Sequence, residues 1–193
     1  IRDSLTTGNR PPSTMRLKAG ATRDGALTAL EFEGIGASGA YRAGGTSLLD
    51  FLVRDLYRCP NVHCTTTDVY INAGPARPFR APGHPQCAWA LEQVMDALAH
   101  ELGVDPVELR LKNVPNVSQA RDNKPYTSDG LSACLRRGAE AFGWTKARSR
   151  PKGDGPLKRG VGVAAGLWVA GAGGPPSSVI VKLFSDGSAN LNM

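Results

Sequence analysis

Arg77-Pro-Phe-Arg-Ala-Pro-Gly-His-Pro-Gln86 leads, three residues on, into Ala90-Leu-Glu-Gln-Val-Met-Asp-Ala-Leu-Ala-His-Glu-Leu-Gly103. The second half is the clearest helix of the chain. Between Gln86 and Leu102 the apolar Ala90, Leu91, Val94, Met95, Leu98 and Leu102 recur at helical spacing, with Glu92, Asp96 and Glu101 opposite. Gly103 ends it. The first half belongs to a Pro/Gly-rich loop, residues 72–86, with two arginines and one Phe. Such a loop can turn backbone N–H groups outward, and the helix start adds partial positive charge, so a phosphate or pyrophosphate would fit beside Arg77 or Arg80. On composition alone the plainer reading, a Pro-rich connection with solvated arginines, is favoured. G-K-[ST] and G-x-G-x-x-G are both missing here, so the loop is neither a Walker A loop nor a dinucleotide fingerprint.

Working outward, Asp105-Pro-Val-Glu108 reads as a helix start with Asp105 as cap and Pro106 at the first position, and the helix should run to about Lys112. A further helix is expected over 129–142, with Leu131, Cys134, Leu135 and Ala139 on one face and Gly143 as its stop. Upstream, residues 13–22 and 27–35 alternate polar and apolar around Arg23-Asp-Gly-Ala26, a β-hairpin. Residues 34–45 form a loop by composition, 48–57 a short helix or a strand, and 63–71 a strand. Residues 146–158 are a basic linker, 160–167 and 177–184 are β-like, and Ser185-Asp-Gly-Ser188 turns into a last strand. Strands, then helices, then strands give an α+β fold rather than a regular βαβ repeat.

Composition narrows the chemistry. The 193 residues carry a formal charge of +6 and no apolar run near the ~20 residues of a membrane span. The charge suits an anionic partner or a merely basic surface. It comes with no nucleic-acid motif, so DNA or RNA is not an expected partner. Cys59, Cys64, Cys87 and Cys134 lack metal-ligand spacing and are read as buried or half-buried free thiols, not zinc or iron–sulfur ligands. His63, His84 and His100 lie in different elements, which argues against a His-based nucleophilic site. Glu92 and Asp96, four apart, read as a solvated helix face.

Phe79-Arg-Ala-Pro-Gly-His-Pro-Gln86, the acidic helix after it and Asp105-Pro-Val-Glu-Leu-Arg-Leu-Lys-Asn113 together resemble the molybdopterin-binding large subunit of the xanthine dehydrogenase/aldehyde oxidase family. Thr7-Gly-Asn-Arg-Pro-Pro12, Asp24-Gly-Ala-Leu-Thr-Ala-Leu30, Leu135–Trp144 and Arg159–Ala165 extend the resemblance in order along nearly the whole chain. The subtype it is most similar to is the bacterial periplasmic aldehyde dehydrogenase, which leaves periplasm and cytoplasm both open.

The resemblance implies a molybdenum–molybdopterin cofactor, in the cytosine dinucleotide form, with iron–sulfur and FAD groups on partner subunits. It implies hydroxylation of an aldehyde or N-heterocycle with oxygen derived from water, the electrons leaving through the partners. Cofactor contact falls to Phe79, Arg80, Ala81, Gly83 and Gln86. Pro82 stands where purine-handling members place an aromatic, against a xanthine-like stacking pocket. Residues 167–170, with Leu167 and Trp168, either line the substrate pocket or end a core strand. Ser128-Asp129 replaces an Arg pair of the aldehyde-type relatives.

The family's catalytic Glu and a D-x-G-x-G segment would lie beyond Met193, and its Gly-Gly-x-Phe-Gly motif before Ile1. The chain is therefore expected to be an internal, inactive piece with no catalytic residue and no metal ligand of its own. It would comprise most of a first molybdopterin-binding domain (1–145), a linker (146–158) and the start of a second domain (159–193). The competing readings are a non-catalytic anion- or phosphate-binding α+β module, and a remnant with no function of its own.

Overall fold

The computed structural model describes residues 8, 10–46, 48–149, 155–168 and 178–192. β1 (Ser13–Ala21) and β2 (Leu27–Gly39) pair antiparallel, with Ala19 opposite Leu30 and Leu17 opposite Phe32. Their alternation does what the pattern predicts: Leu30 and Phe32 are buried, while Arg16–Glu33 and Lys18–Glu31 pair on the solvent face. At the connecting turn Thr22 N–H reaches the Ala26 carbonyl, and Gly25 takes φ +89°, which an L side chain resists.

β2 runs on to Gly39, through half of the stretch expected to be loop. Its glycines are needed for close approach, not for turning. A Cβ on Gly36 would meet the Gly45 carbonyl oxygen at 2.5 Å, where the chain folds back over the strand. The ambiguous stretch 48–57 holds a short helix, α1 (Phe51–Asp55). It crosses to β3 (Val62–Tyr70), which pairs parallel to β2 and completes a mixed sheet in the order β1-β2-β3. One crossover does not make a βαβ repeat, and the class is α+β.

α2 (His84–Leu102) lies on the sheet, and α3 (Pro106–Lys112) follows directly. The core is the space between them: Leu30 and Phe32 from the sheet, Leu52 and Val53 from α1, Leu91 and Met95 from α2, with Leu56, Tyr57 and Leu109. Asn113 fastens α3 to the hairpin turn. Its Oδ1 accepts from Leu27 N–H at 2.9 Å and its Nδ2 donates to the Gly25 and Leu109 carbonyls at 2.8 Å.

Next come β4 (Val117–Ser118) and β5 (Lys124–Pro125), which pair, then α4 (Leu131–Phe142) and α5 (Trp144–Arg148). Two expectations are corrected here. On α4 only Leu135 is buried, and Cys134 is exposed because most of that helix rides on the surface. The expected linker begins as helix up to Arg148, because Trp144 anchors α5 by donating its indole N–H to Asp105 at 2.9 Å. The rest of the linker from 150 to 154 lies outside the described residues.

Residues 159–168 form no strand. They run along α2 with Ala165 and Leu167 packed on the core, so the alternation there reports one-sided burial without a ladder. β6 (Ile180–Leu183) and β7 (Ala189–Asn192) form the terminal hairpin, exposed along its whole length.

Candidate functional site

Residues 72–83 return beside the end of β2. Ala40 N–H donates to the Ala73 carbonyl and Ala76 N–H to that of Ser38, both at 3.0 Å. Gly39 permits this, since a Cβ there would collide with the Gly74 carbonyl oxygen, and its own φ is +82°. The loop then turns twice through left-handed backbone, at Ala81 (φ +56°) and Gly83 (φ +76°), before α2 begins. A left-handed alanine is uncommon and strained.

The strain is held by an arginine that the sequence reading passed over. Arg10 donates through Nη2 to the Arg80 carbonyl at 2.5 Å and through Nη1 to the Ala81 carbonyl at 3.4 Å and Gln86 Oε1 at 3.2 Å. Its guanidinium also covers the Phe79 ring at 5.0 Å. Gln86 Nε2 in turn donates to the Pro11 carbonyl at 3.2 Å. The carbonyls of Arg80 and Ala81 are thus drawn to one side. Among the described residues, the N–H groups of Arg80, Ala81 and Gly83 meet no acceptor. The Phe79 ring stays 62% exposed, and the Arg80 side chain is exposed as well.

His84 opens α2 and is 4% exposed. Its Nδ1 lies 3.0 Å from the Pro82 carbonyl, and Nε2 finds no partner among the described residues. Phe51 lies against one side of the ring, and Trp168 meets it edge-on with centroids 4.4 Å apart. The predicted cofactor residues Phe79, Arg80, Ala81 and Gly83 therefore sit in the loop and Gln86 in the first turn of α2, and Trp168 meets His84 at that helix start. Leu167 packs on the core behind it, but without the strand that one reading of this stretch expected; Val169 and Ala170 lie outside the described residues.

Glu92 overturns the expectation of a solvated face. Its side chain is 7% and that of Arg110 0% exposed, and the two pair at 2.8 Å, with Asp96 as a second, half-exposed partner of Arg110. Tyr57 donates its hydroxyl to Glu92 Oε1 at 2.7 Å, and burial first, then the Glu92 charge, push that phenol well above its usual range. Arg110 pays for its own burial through these carboxylates, which keep it above its ordinary value. The missed signal was pairwise: Glu92 and Arg110 are far apart in sequence on two helices, and neither periodicity contains the other.

Elsewhere, a groove of about 410 Å³ opens at the other end of α2, between His100 and Asp105, and none of the predicted site residues lines it. No group of His, Cys, Asp and Glu among the described residues is placed to hold a metal ion, and no helix there is long and apolar enough to cross a membrane.

Comparison with known proteins agrees with this fold. The family model described as the molybdopterin cofactor-binding domain matches residues 2–114, which include Arg10, the loop and both helices α2 and α3. The putative xanthine dehydrogenase molybdenum-binding subunit XdhA of Escherichia coli (strain K12) is 36% identical over 83% of this chain. The aldehyde oxidoreductase of Megalodesulfovibrio gigas is 30% identical over 96%. The chain spans 22% and 21% of these two relatives' lengths. Among solved structures, an aldehyde oxidoreductase from Desulfovibrio gigas superposes with a TM-score of 0.77 at 28% identity, covering 94% of this chain and 21% of that one.

Proposed function

The chain belongs to the molybdopterin cofactor-binding family of xanthine dehydrogenase and aldehyde oxidoreductase large subunits, and from that premise we propose that residues 77–86 are the loop that receives molybdopterin. The observation that carries the proposal is the pair of left-handed residues, Ala81 and Gly83, in a loop that Arg10 holds by the Arg80 and Ala81 carbonyls, with the N–H groups of Arg80, Ala81 and Gly83 meeting no acceptor among the described residues. An anionic ligand rich in acceptors fits such donors at the start of a helix.

Each residue has a separate task in this reading. The N–H groups of Arg80, Ala81 and Gly83 hold the ligand, and Phe79 shields it from water. Gln86 engages Arg10 and Pro11 with its whole amide, so it steadies the loop from behind. Pro82, Leu167 and Trp168 form the substrate-facing side. Pro82 offers no ring to stack on a purine, which favours an aldehyde or a small N-heterocycle. Bound molybdenum–molybdopterin, in its cytosine dinucleotide form, supplies the redox chemistry that hydroxylates the substrate with oxygen derived from water. The residues of this chain bind and orient.

A longer protein containing this chain would be a molybdenum hydroxylase large subunit working with iron–sulfur and FAD partners. Residues 1–148 would belong to its first molybdopterin-binding domain, 149–158 to a linker and 159–193 to the start of the second. The 193-residue chain would be inactive by itself. Changing Arg10→Ala in the longer protein, which releases the Arg80 and Ala81 carbonyls, tests the assignment, with loss of molybdenum content as the expected result. Undiminished molybdenum would favour the anion-binding module instead.

A further inference from the structure

Residues 159–168 touch α2 at two places on one helix face. Ala165 N–H donates to Glu92 Oε2 at 2.9 Å, and Trp168 meets the His84 ring. Eight residues separate His84 from Glu92, a little over two helical turns. A carboxylate in a core is costly unless every lone pair finds a donor, and an apolar pair of similar size folds about as well. What an apolar pair cannot do is give direction. Glu92 is clamped by Arg110 Nε at 2.8 Å and the Tyr57 hydroxyl at 2.7 Å, and it presents one fixed acceptor to a passing backbone amide. Two residues beyond that amide is Leu167, and the next is Trp168, which leans on His84. His84 in turn addresses the Pro82 carbonyl of the loop.

We propose that Glu92 is a positioning residue. Its carboxylate fixes the backbone of 159–168 at Ala165, and so sets where Leu167 and Trp168 stand against the loop. It governs the substrate side of the site and leaves molybdopterin loading unchanged. This rests on reading residues 77–86 as the molybdopterin loop.

Amide hydrogen exchange on the 193-residue chain tests the positioning by itself. Glu92→Gln keeps an acceptor and should leave Ala165 as protected as in the wild type. The double variant Glu92→Met/Arg110→Met removes the acceptor without leaving a buried charge. It should expose the Ala165 amide about tenfold, the worth of one hydrogen bond, while Leu91 and Met95 exchange as before. Equal Ala165 exchange in the wild type and the double variant would overturn the proposal. So would a loss spread equally along α2, which marks a merely structural role.

In the longer protein the same double variant should raise KM for an aldehyde about tenfold, with kcat and molybdenum content within about twofold of wild type. A parallel loss of molybdenum would overturn the proposal. A wild-type protein that carries no molybdenum would instead refute the reading of the loop, and the exchange result would still judge Glu92.

Discussion

α2 and α3 both carry a proline in their first turn, yet they start in opposite ways. At α3, Asp105 is extended, and its carboxylate takes the N–H groups of Val107 at 2.8 Å and Glu108 at 3.3 Å, the Trp144 indole and the Arg148 guanidinium. That helix start is satisfied by the chain itself. At α2 the cap is Gly83 in left-handed backbone with no side chain to offer, and the N–H groups of Arg80, Ala81 and Gly83 meet no acceptor among the described residues. The difference separates two uses of one element. A capped start fastens α3 to α5, and an uncapped one leaves donors for a ligand.

The comparison breaks most severely at the residue that joins the two helices. Arg110→Met strands Glu92 without its cation in the core and should cost about 3–5 kcal/mol in urea unfolding. The double variant with Glu92→Met should recover most of that. If Arg110→Met alone were neutral, the buried pair would not be the tie between α2 and α3.

The capped start should answer to pH. Burial works to raise the Asp105 carboxyl, but hydrogen bonds from the Trp144 indole, the Val107 and Glu108 amides and Arg148 outweigh it and hold the group below its ordinary value. A depressed folded value means the contribution is complete above about pH 5 and is lost as pH falls through the folded pKa. Asp105→Ala should therefore destabilise by about 1–2 kcal/mol at neutral pH, and by less in acid. Asp105→Asn should keep the cap and flatten the acid limb. A stability difference independent of pH would contradict this.

The uncapped start should barely register in stability. Arg10→Ala is expected to cost about 1 kcal/mol or less, since its bonds are part-exposed. It should instead loosen the first turn of α2, where Cys87 sits with its thiol pushed up to about 12 by burial. Alkylation at pH 8 should reach exposed Cys134 first in the wild type, and Cys87 measurably sooner in the Arg10 variant. Unchanged Cys87 labelling would show that Arg10 does not hold the loop.

Much of this was legible along the chain. Local chemistry writes the hairpin, α2, α3 and the Gly103 and Gly143 stops within a few residues of where they act. The loop could be singled out by its prolines and glycines and by its resemblance to a family. The contacts that shape it could not: Arg10 meets Arg80 from 70 positions away, and Glu92 meets Arg110 and Ala165 from 18 and 73. A charged residue on a helix reads as solvated until its partner arrives from another element. The Gly34–Gly39 stretch misled for a related reason, because glycine demanded by close packing in a strand is spelled like glycine in a loop.

The account turns on Gly83, and molybdenum per protein in a Gly83→Val variant of the longer protein tests it most directly. A branched side chain there is strained by about 1–2 kcal/mol and stands beside the unengaged N–H groups of Arg80 and Ala81. Molybdenum should fall to a small fraction of the wild-type ratio, while Asp105→Ala, at comparable cost to stability, should keep it. Full molybdenum in the Gly83 variant, or equal losses in both, would contradict the assignment of the open helix start to the cofactor.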